Sequence, residues 1–180
     1  PRTQIIEEPA GRILTGNDSP DIGFDLSINP YRGCEHGCVY CYARPTHGYL
    51  NLSPGLDFET RLVAKVNAAE LLRRELAAPG YRAAVVNLGS ATDAYQPVER
   101  QLRITRAVLE VLAQARHPVA IVTKASLVER DLDLLVPMAQ QRLAAAFVSV
   151  TTLDHALSRQ LEPRAASPAC RDDRLQAVSR

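Results

Sequence analysis

Four short apolar runs recur along the chain, and each has the length of a β-strand rather than of a helix. The last three are almost continuously apolar instead of alternating, which is typical of strands buried on both faces of a sheet. Polar and turn-forming residues bound each run. We therefore predict strands at residues 24–28, 83–88, 119–123 and 143–150.

The segments between these strands show the spacing and the boundary signals of helices. Asn67 and Glu70 have the spacing of a capping box, and Pro-Gly at residues 79–80 ends the helix that follows. Ser126 and Glu129 repeat the capping-box spacing before another helix. We predict helices at residues 68–78, 97–115, 126–142 and 153–161, and one that begins at residue 173. Residues 58–66 are predicted to be extended.

Strand and helix alternate four times, which predicts an α/β fold whose parallel strands are joined by right-handed crossovers. In such folds, ligands bind at the carboxyl ends of the strands. Polar side chains follow the second, third and fourth predicted strands at this end; they include Ser90, Thr92, Asp93, Lys124 and Ser149. Because these strand ends converge, we predict a binding site there. Ordinary turn and capping chemistry is the alternative role for such residues.

The composition is that of a globular domain and does not indicate which kind of molecule the protein binds. The 180 residues are 46% hydrophobic and 23% charged, as in a globular domain with a core. The net charge of +1 gives no whole-chain basic excess of the kind that binds nucleic acids or anionic membranes. No apolar run approaches the length of a membrane span, and the first residues are too polar for a signal peptide.

Three of the four cysteines lie close together after the first predicted strand, in a C-x3-C-x2-C arrangement. They are Cys34, Cys38 and Cys41, whereas Cys170 is distant and is interpreted as an incidental thiol. Three thiols this close together do not suit a disulfide framework. Free thiols in turn favour the reducing cytoplasm as the compartment. We interpret them as ligands of a [4Fe-4S] cluster whose fourth iron stays open. Zinc bound by the same thiolates and His36 is the alternative.

The cysteine segment and five later motifs resemble one known family. In order, the motifs are NPYRGCEHGCVYCYARPTH, SPGLDFET, TDAYQPVE, VTK, SVTTLD and LEPRA. They resemble the radical S-adenosylmethionine (radical SAM) proteins related to spore photoproduct lyase, over roughly Asp18 to Arg164. The resemblance implies a partial (β/α) TIM-like barrel that is truncated after about four βα units. It places the N-terminal part of a radical SAM core at residues 23–180, after an irregular extension at residues 1–22.

The resemblance also implies cofactors and residue roles. In this family a [4Fe-4S] cluster and SAM together generate a 5′-deoxyadenosyl radical, which removes a hydrogen atom from the substrate. Cys34, Cys38 and Cys41 match the cluster ligands, and an electron donor such as a flavodoxin or a ferredoxin is implied. The residues that match SAM contacts are Tyr40, Ser90, Thr92, Asp93, Lys124 and Ser149.

The substrate stays open at this point. Family similarity suggests nucleic acid, but no basic stripe with interleaved aromatic residues supports it. The segment LGSATD also lacks the cysteine that lyases acting on the spore photoproduct use as a hydrogen donor. A lyase-like reaction is therefore the expectation from the family alone. The alternative function is that of a non-enzymatic metal-binding domain or an inactive truncated domain.

Overall fold

The structure is a computed structural model that describes residues 2–18, 21 and 23–171. The strands are β1 (Gln4–Glu8), β2 (Leu14–Gly16), β3 (Leu26–Ile28), β4 (Tyr31–Arg32), β5 (Arg61–Lys65), β6 (Val86–Leu88), β7 (Val119–Thr123) and β8 (Ala144–Val148). The α-helices are α1 (Leu56–Thr60), α2 (Ala68–Leu76), α3 (Glu99–Leu102), α4 (Ile104–Gln114), α5 (Leu132–Gln140) and α6 (His155–Leu161). Two 3-10 helices cover Arg44–Leu50 and Ser126–Asp131. None of the helices described here is long and apolar enough to cross a membrane.

The main sheet has five strands in the order β2-β3-β6-β7-β8. Four of them, β3, β6, β7 and β8, run parallel, whereas β2 pairs antiparallel with β3. The four parallel strands lie in the four apolar runs of the sequence; β7 has the predicted bounds, and the other three are shorter than predicted. The predicted α/β class with a parallel sheet is therefore confirmed.

One face of the main sheet is covered by helices and the other is open. On the covered face, Leu88 and Ile121 are fully buried in the same core as Leu109 of α4. On the open face, Val122 of β7 and Phe147 of β8 form a cross-strand pair, and both are exposed. The sheet therefore has a sealed side, which supplies the core, and an accessible side.

The structure has a second sheet, of which only β5 lies in a segment predicted to be extended. Its order is β1-β5-β4, with β1 parallel and β4 antiparallel to β5. The prediction that residues 1–22 are irregular is wrong for β1 and β2. All five residues of β1 are exposed, so its strand arises from pairing with β5 and leaves no apolar pattern in the sequence. The prediction that residues 58–66 are extended is correct only for β5, because α1 ends at Thr60.

The helices lie close to their predicted positions, but the predicted capping boxes are wrong. The Asn67 side chain donates to the Ala10 carbonyl at 2.9 Å and accepts from the Ala10 amide at 2.8 Å, so it makes no cap bond. Ser126 lies inside a 3-10 helix rather than at a cap. Helices α3 and α4, predicted as one, are separated by Arg103 with a φ of +53°. The helix predicted from residue 173 lies outside the described residues.

Candidate cofactor site

The cysteine segment leaves β3 and is held in shape by bonds to two later parts of the chain. The backbone turns at Gly33, whose φ is +81°. The Thr92 hydroxyl donates to the Gly33 carbonyl at 2.6 Å, and the Cys34 amide donates to the Phe58 carbonyl at 2.9 Å. A Cβ at Gly33 would lie 2.8 Å from that Phe58 oxygen, so the turn requires glycine.

The three clustered cysteines line one cavity at the carboxyl ends of the parallel strands. Cys34 and Cys38 are buried, Cys41 is partly exposed, and all three thiols are free. The other wall comes from residues that follow β6, β7 and β8. Of the predicted SAM contacts, this wall contains Ser90, Thr92, Asp93, Lys124 and Ser149. The structure thus brings together the predicted cluster ligands and all the predicted SAM contacts except Tyr40.

Tyr40 stands beside the cavity rather than in its wall. Its hydroxyl lies 2.9 Å from the Thr151 hydroxyl and donates to the Glu162 carboxylate. The Lys124 ammonium lies 5.9 Å from the centre of the Tyr40 ring, which is within cation–π range. Within the described ranges, no carboxylate pairs with the Lys124 ammonium. Its charge is therefore available to an anionic group in the cavity that it lines.

The electrostatics of the cavity oppose an unligated thiolate at Cys38. Burial raises the pKa of the Cys38 thiol to about 12, although the positive charge of Lys124 acts in the opposite direction. At neutral pH the group is therefore a thiol unless a bound cation holds it in the thiolate form. Metal ligation does this, because a coordinated cysteine loses its proton.

Asp93 ties the ends of two strands to the cysteine segment. One carboxylate oxygen, Oδ1, accepts from the Thr123 hydroxyl at 2.7 Å and the Tyr95 amide at 2.9 Å. The other, Oδ2, accepts from the Lys124 amide at 2.8 Å and lies 3.2 Å from His36 Nδ1. Burial would raise the pKa of Asp93, but His36 and these donors lower it to about 2. Asp93 is therefore a positioning residue, and its predicted contact with SAM stays a prediction.

His36 is buried and acts as the partner of Asp93. Burial alone would lower the pKa of His36, but the negative charge of Asp93, aided by Cys34, raises it to about 10. The alternative prediction of a zinc site used this histidine as a fourth ligand. In the part of the chain that the structure describes, no three His, Cys, Asp or Glu side chains are grouped so as to hold a single metal ion. The zinc alternative therefore has no support.

Asn29, at the end of β3, fixes the loop that follows β6. Its Nδ2 donates to the Ser90 hydroxyl at 3.0 Å, and its Oδ1 accepts from the Ala91 amide at 2.8 Å. The Tyr42 hydroxyl donates to the Ser90 carbonyl. Two residues of the cysteine segment, Asn29 and Tyr42, thus bind the same loop, which forms part of the cavity wall.

A charged brace holds the outer side of the cysteine segment. The Glu59 carboxylate accepts from Arg44 at 2.5 Å and from Arg164 at 2.6 Å. Arg44 also donates to the Cys38 carbonyl at 2.9 Å, and Arg164 donates to the Glu35 carbonyl. Arg164 belongs to the motif LEPRA and was not predicted as a site residue, whereas the structure shows it bound to the Glu59 carboxylate and the Glu35 carbonyl. The brace links α1 to the backbone between the cysteines.

A second ion pair that the sequence analysis does not single out lies behind β8. Glu162 and Arg171 are both buried and pair with each other. Arg171 also donates to the carbonyls of Ser149 and Ala166, each at 2.7 Å, and Glu162 accepts from the Thr151 hydroxyl at 2.6 Å. The motif LEPRA contains this carboxylate and could have indicated it. No motif surrounds Arg171, so the sequence carries no signal for its role.

The sequence profile of the radical SAM superfamily matches residues 28–180. The match begins at Ile28, the last residue of β3, and includes the cysteine segment, β6, β7 and β8. The chain belongs to the radical SAM superfamily. The resemblance on which the cluster ligands were predicted is therefore confirmed at the level of the family.

This radical SAM chain is similar to uncharacterized proteins from several organisms. It is 42% identical to one from Mycobacterium tuberculosis, over 86% of this chain and 46% of the relative. It is 28% identical to one from Methanocaldococcus jannaschii, over 98% of this chain and 63% of the relative. A protein of Acidianus two-tailed virus is 29% identical over 88% of this chain and 54% of the relative. The chain spans about half to nearly two thirds of the length of these relatives.

The fold is similar to that of spore photoproduct lyase. A solved structure of a mutant of that enzyme, with bound AdoMet and dinucleoside spore photoproduct, superposes with a TM-score of 0.63 at 15% identity. The superposition covers 93% of this chain and 45% of the lyase chain. It confirms the predicted partial TIM-like radical SAM fold.

The donor atoms of this radical SAM chain suit a [4Fe-4S] cluster. Three free thiols share one cavity, and thiolates are the usual ligands of such clusters. Gly33 and Gly37, both with positive φ, let the backbone turn tightly on either side of Cys34. A Cβ at Gly37 would lie 2.7 Å from the Glu59 carboxylate, so a larger residue at this turn would displace Glu59 from the brace.

Proposed function

We propose that this protein holds a [4Fe-4S] cluster through Cys34, Cys38 and Cys41 and cleaves SAM reductively. The observation that carries the proposal is that these thiols share one cavity with polar groups at the ends of β6, β7 and β8. Membership of the radical SAM superfamily supports the same chemistry. When bound, the cluster supplies one electron to the SAM sulfonium, which yields methionine and a 5′-deoxyadenosyl radical that abstracts hydrogen from the substrate.

The residues of the opposite wall would bind and orient SAM. The unpaired Lys124 ammonium suits the SAM carboxylate, because a charge-assisted hydrogen bond is strong in a partly buried site. The hydroxyl groups of Ser90 and Ser149 offer hydrogen bonds to the methionine part. Tyr40, next to Lys124, is placed to contact the adenine. Thr92 would act through the Gly33 carbonyl that it holds, rather than through SAM.

We further propose a nucleotide-containing substrate and a lyase-like reaction. The support is that the similar solved structure holds a dinucleoside spore photoproduct. The absence of a cysteine in LGSATD means that any hydrogen returned to the substrate comes from a different group in this protein. An electron donor such as a flavodoxin or a ferredoxin would reduce the cluster. The free thiols favour a reducing compartment such as the cytoplasm.

Anaerobic reconstitution tests the cluster. The chain should take up about four irons with matching sulfide and give the spectra of a [4Fe-4S] centre. Alanine at Cys34, Cys38 or Cys41 should abolish this uptake. Alanine at Cys170, a thiol outside the cavity, is the matched control and should leave the iron content unchanged. A wild-type chain that binds zinc but no iron would overturn the proposal.

SAM cleavage tests the chemistry. After reduction with dithionite, the reconstituted protein should release 5′-deoxyadenosine from SAM, as measured by liquid chromatography. Lys124→Met should raise the SAM concentration needed for half-maximal release by about tenfold, since one charge-assisted bond is worth about 1.5 kcal/mol. A cluster-loaded protein that binds SAM without cleaving it would favour the non-enzymatic alternative.

A further inference from the structure

A second cavity of about 360 Å³ lies on the side of the cysteine segment that carries β4 and β5. Residues of the cysteine segment, β2, β5 and the loop after β6 line it. The lining residues are Thr15, Asn29, Tyr31, Arg32, Thr46, Tyr49, Lys65 and Ala91. This set contains two cations, several hydroxyl groups and no carboxylate, so the charge of the cavity is positive.

The two cations occupy the same face of the second sheet. Arg32 pairs with Val63 across β4 and β5, and Lys65 lies two residues further along β5. Residues in this diagonal relation point to the same side and are close enough to interact. Like charges at such positions repel each other, so the arrangement is unfavourable for folding.

Compensation for this repulsion comes from Glu8, which lies opposite Lys65 in the pairing of β1 with β5 but forms no ion pair with it among the described residues. In the residues that the structure describes, neither Arg32 nor Lys65 has a side-chain hydrogen bond or an ion pair. Burial lowers the pKa of Lys65 to about 8, and the charge of Arg32 acts in the same direction, with only a partial counter-effect from Glu8. An anion bound in this concave site would neutralise the two cations and remove the repulsion between them.

The cavity adjoins the proposed cofactor site. Ala91 lines both cavities. Asn29, in the wall of the second cavity, holds the Ser90 hydroxyl, which belongs to the wall of the first. Tyr49, with 86% of its surface exposed, stands at the edge of the second cavity and offers an aromatic face. A molecule with its reactive part near the cysteines could therefore extend into the basic cavity.

We propose that the cavity containing Arg32 and Lys65 binds a phosphate group of the substrate. Arginine suits phosphate because its planar guanidinium donates two parallel hydrogen bonds, and lysine adds a point charge. The hydroxyl groups of Thr15 and Thr46 lie in the same wall. The role of this phosphate as part of a substrate depends on the function proposed above, whereas its binding does not.

Calorimetric titration tests the binding on the reconstituted protein without reductant, so that it is independent of SAM cleavage. The probes are inorganic phosphate, with sodium chloride at equal ionic strength as the reference, and a dinucleoside monophosphate. Arg32→Gln and Lys65→Gln should each weaken the binding of both probes at least fivefold, and Arg32→Lys should restore part of the loss. Arg82→Gln, which removes an exposed arginine outside the cavity, is the matched control and should change the affinity less than twofold.

The results separate the two proposals. Normal phosphate binding with no 5′-deoxyadenosine would contradict the proposed function and leave the phosphate site intact. The phosphate site is overturned if neither probe binds, or if Arg82→Gln weakens binding as much as Arg32→Gln does. Binding of inorganic phosphate that the dinucleoside monophosphate does not displace would overturn the assignment to a substrate.

Discussion

Gly33 and Gly80 have the same positive φ in different surroundings. Both have a φ of +81°, at which residues other than glycine are strained. A Cβ at Gly80 would meet no atom within 4 Å. Around Gly33, the atoms within 3.0 Å of an added Cβ belong to Leu62, Phe58 and His47. The two glycines therefore separate the cost of the backbone conformation from the cost of crowding beside Cys34.

We expect Gly80→Ala to lower the free energy of unfolding by about 1 kcal/mol, through backbone strain alone. Gly33→Ala should lower it by about 3 to 5 kcal/mol, because overpacking adds to the strain. Urea unfolding of the reduced protein measures both. Iron uptake on reconstitution should fall for Gly33→Ala and stay unchanged for Gly80→Ala. Equal effects of the two changes on stability would show that crowding at Gly33 is unimportant.

At the scale of elements, one carboxylate joins α1 to two segments that are distant in sequence. Glu59 is largely buried and binds both Arg44 and Arg164, and each arginine continues to a carbonyl of the cysteine segment. Glu110 also pairs with an arginine, Arg106, but its side chain is 44% exposed. Glu59 is more buried than Glu110 and binds two arginines, so its ion pairs should contribute more to stability than the surface pair of Glu110.

Glu59→Gln should therefore lower the free energy of unfolding by about 2 kcal/mol, since it leaves two partly buried guanidinium groups without a counter-charge. Glu110→Gln is the matched control and should change it by less than about 0.5 kcal/mol. Thermal unfolding monitored by circular dichroism checks both values. The loaded Glu59→Gln protein should also lose iron faster to a chelator. A loss no greater than that of Glu110→Gln would show that the brace does not hold the cysteine segment.

At the scale of the whole molecule, the open face of the main sheet and the cofactor cavity are the same surface. Val122 lines the cavity, and its cross-strand partner Phe147 is on the same open face. Ile121, the preceding residue of β7, is fully buried on the face that the helices cover. Successive side chains of β7 thus lie alternately in the core and in the wall of the cofactor cavity.

This division predicts different results for adjacent positions. Ile121→Ala should lower the free energy of unfolding by about 2 to 4 kcal/mol, because it leaves a cavity in the core. Val122→Ala should lower it by less than about 1 kcal/mol and act mainly on the affinity of the loaded protein for SAM. Urea unfolding and SAM titration distinguish the two. Similar losses of stability at both positions would mean that the open face is covered in solution.

The sequence by itself determined the parallel strands and the group of three cysteines that follows the first of them. Strands β3, β6, β7 and β8 are visible because each is a short apolar run of strand length. The burial on both faces that these runs predict is wrong, because Val122 and Phe147 are exposed on the open face. The three cysteines are visible because they lie at the short, defined spacing that thiolate ligands of a cluster need. The polar residues after each strand could be assigned to one site because parallel strands end at one edge. Each of these signals is local in the sequence or follows from the topology.

Only the tertiary structure decided which long-range contacts hold the strands and the cysteine segment, and that β4 and β5 form a positive cavity. β1 shows no pattern because its stability comes from hydrogen bonds to β5 rather than from burial of its own side chains. The contacts of Asn67 with Ala10, and of Asp93 with His36, join residues 57 positions apart in each case. The positive cavity exists because β4 and β5 align two cations that are 33 positions apart in the sequence. Such pairings depend on how distant segments meet, and no local periodicity records that.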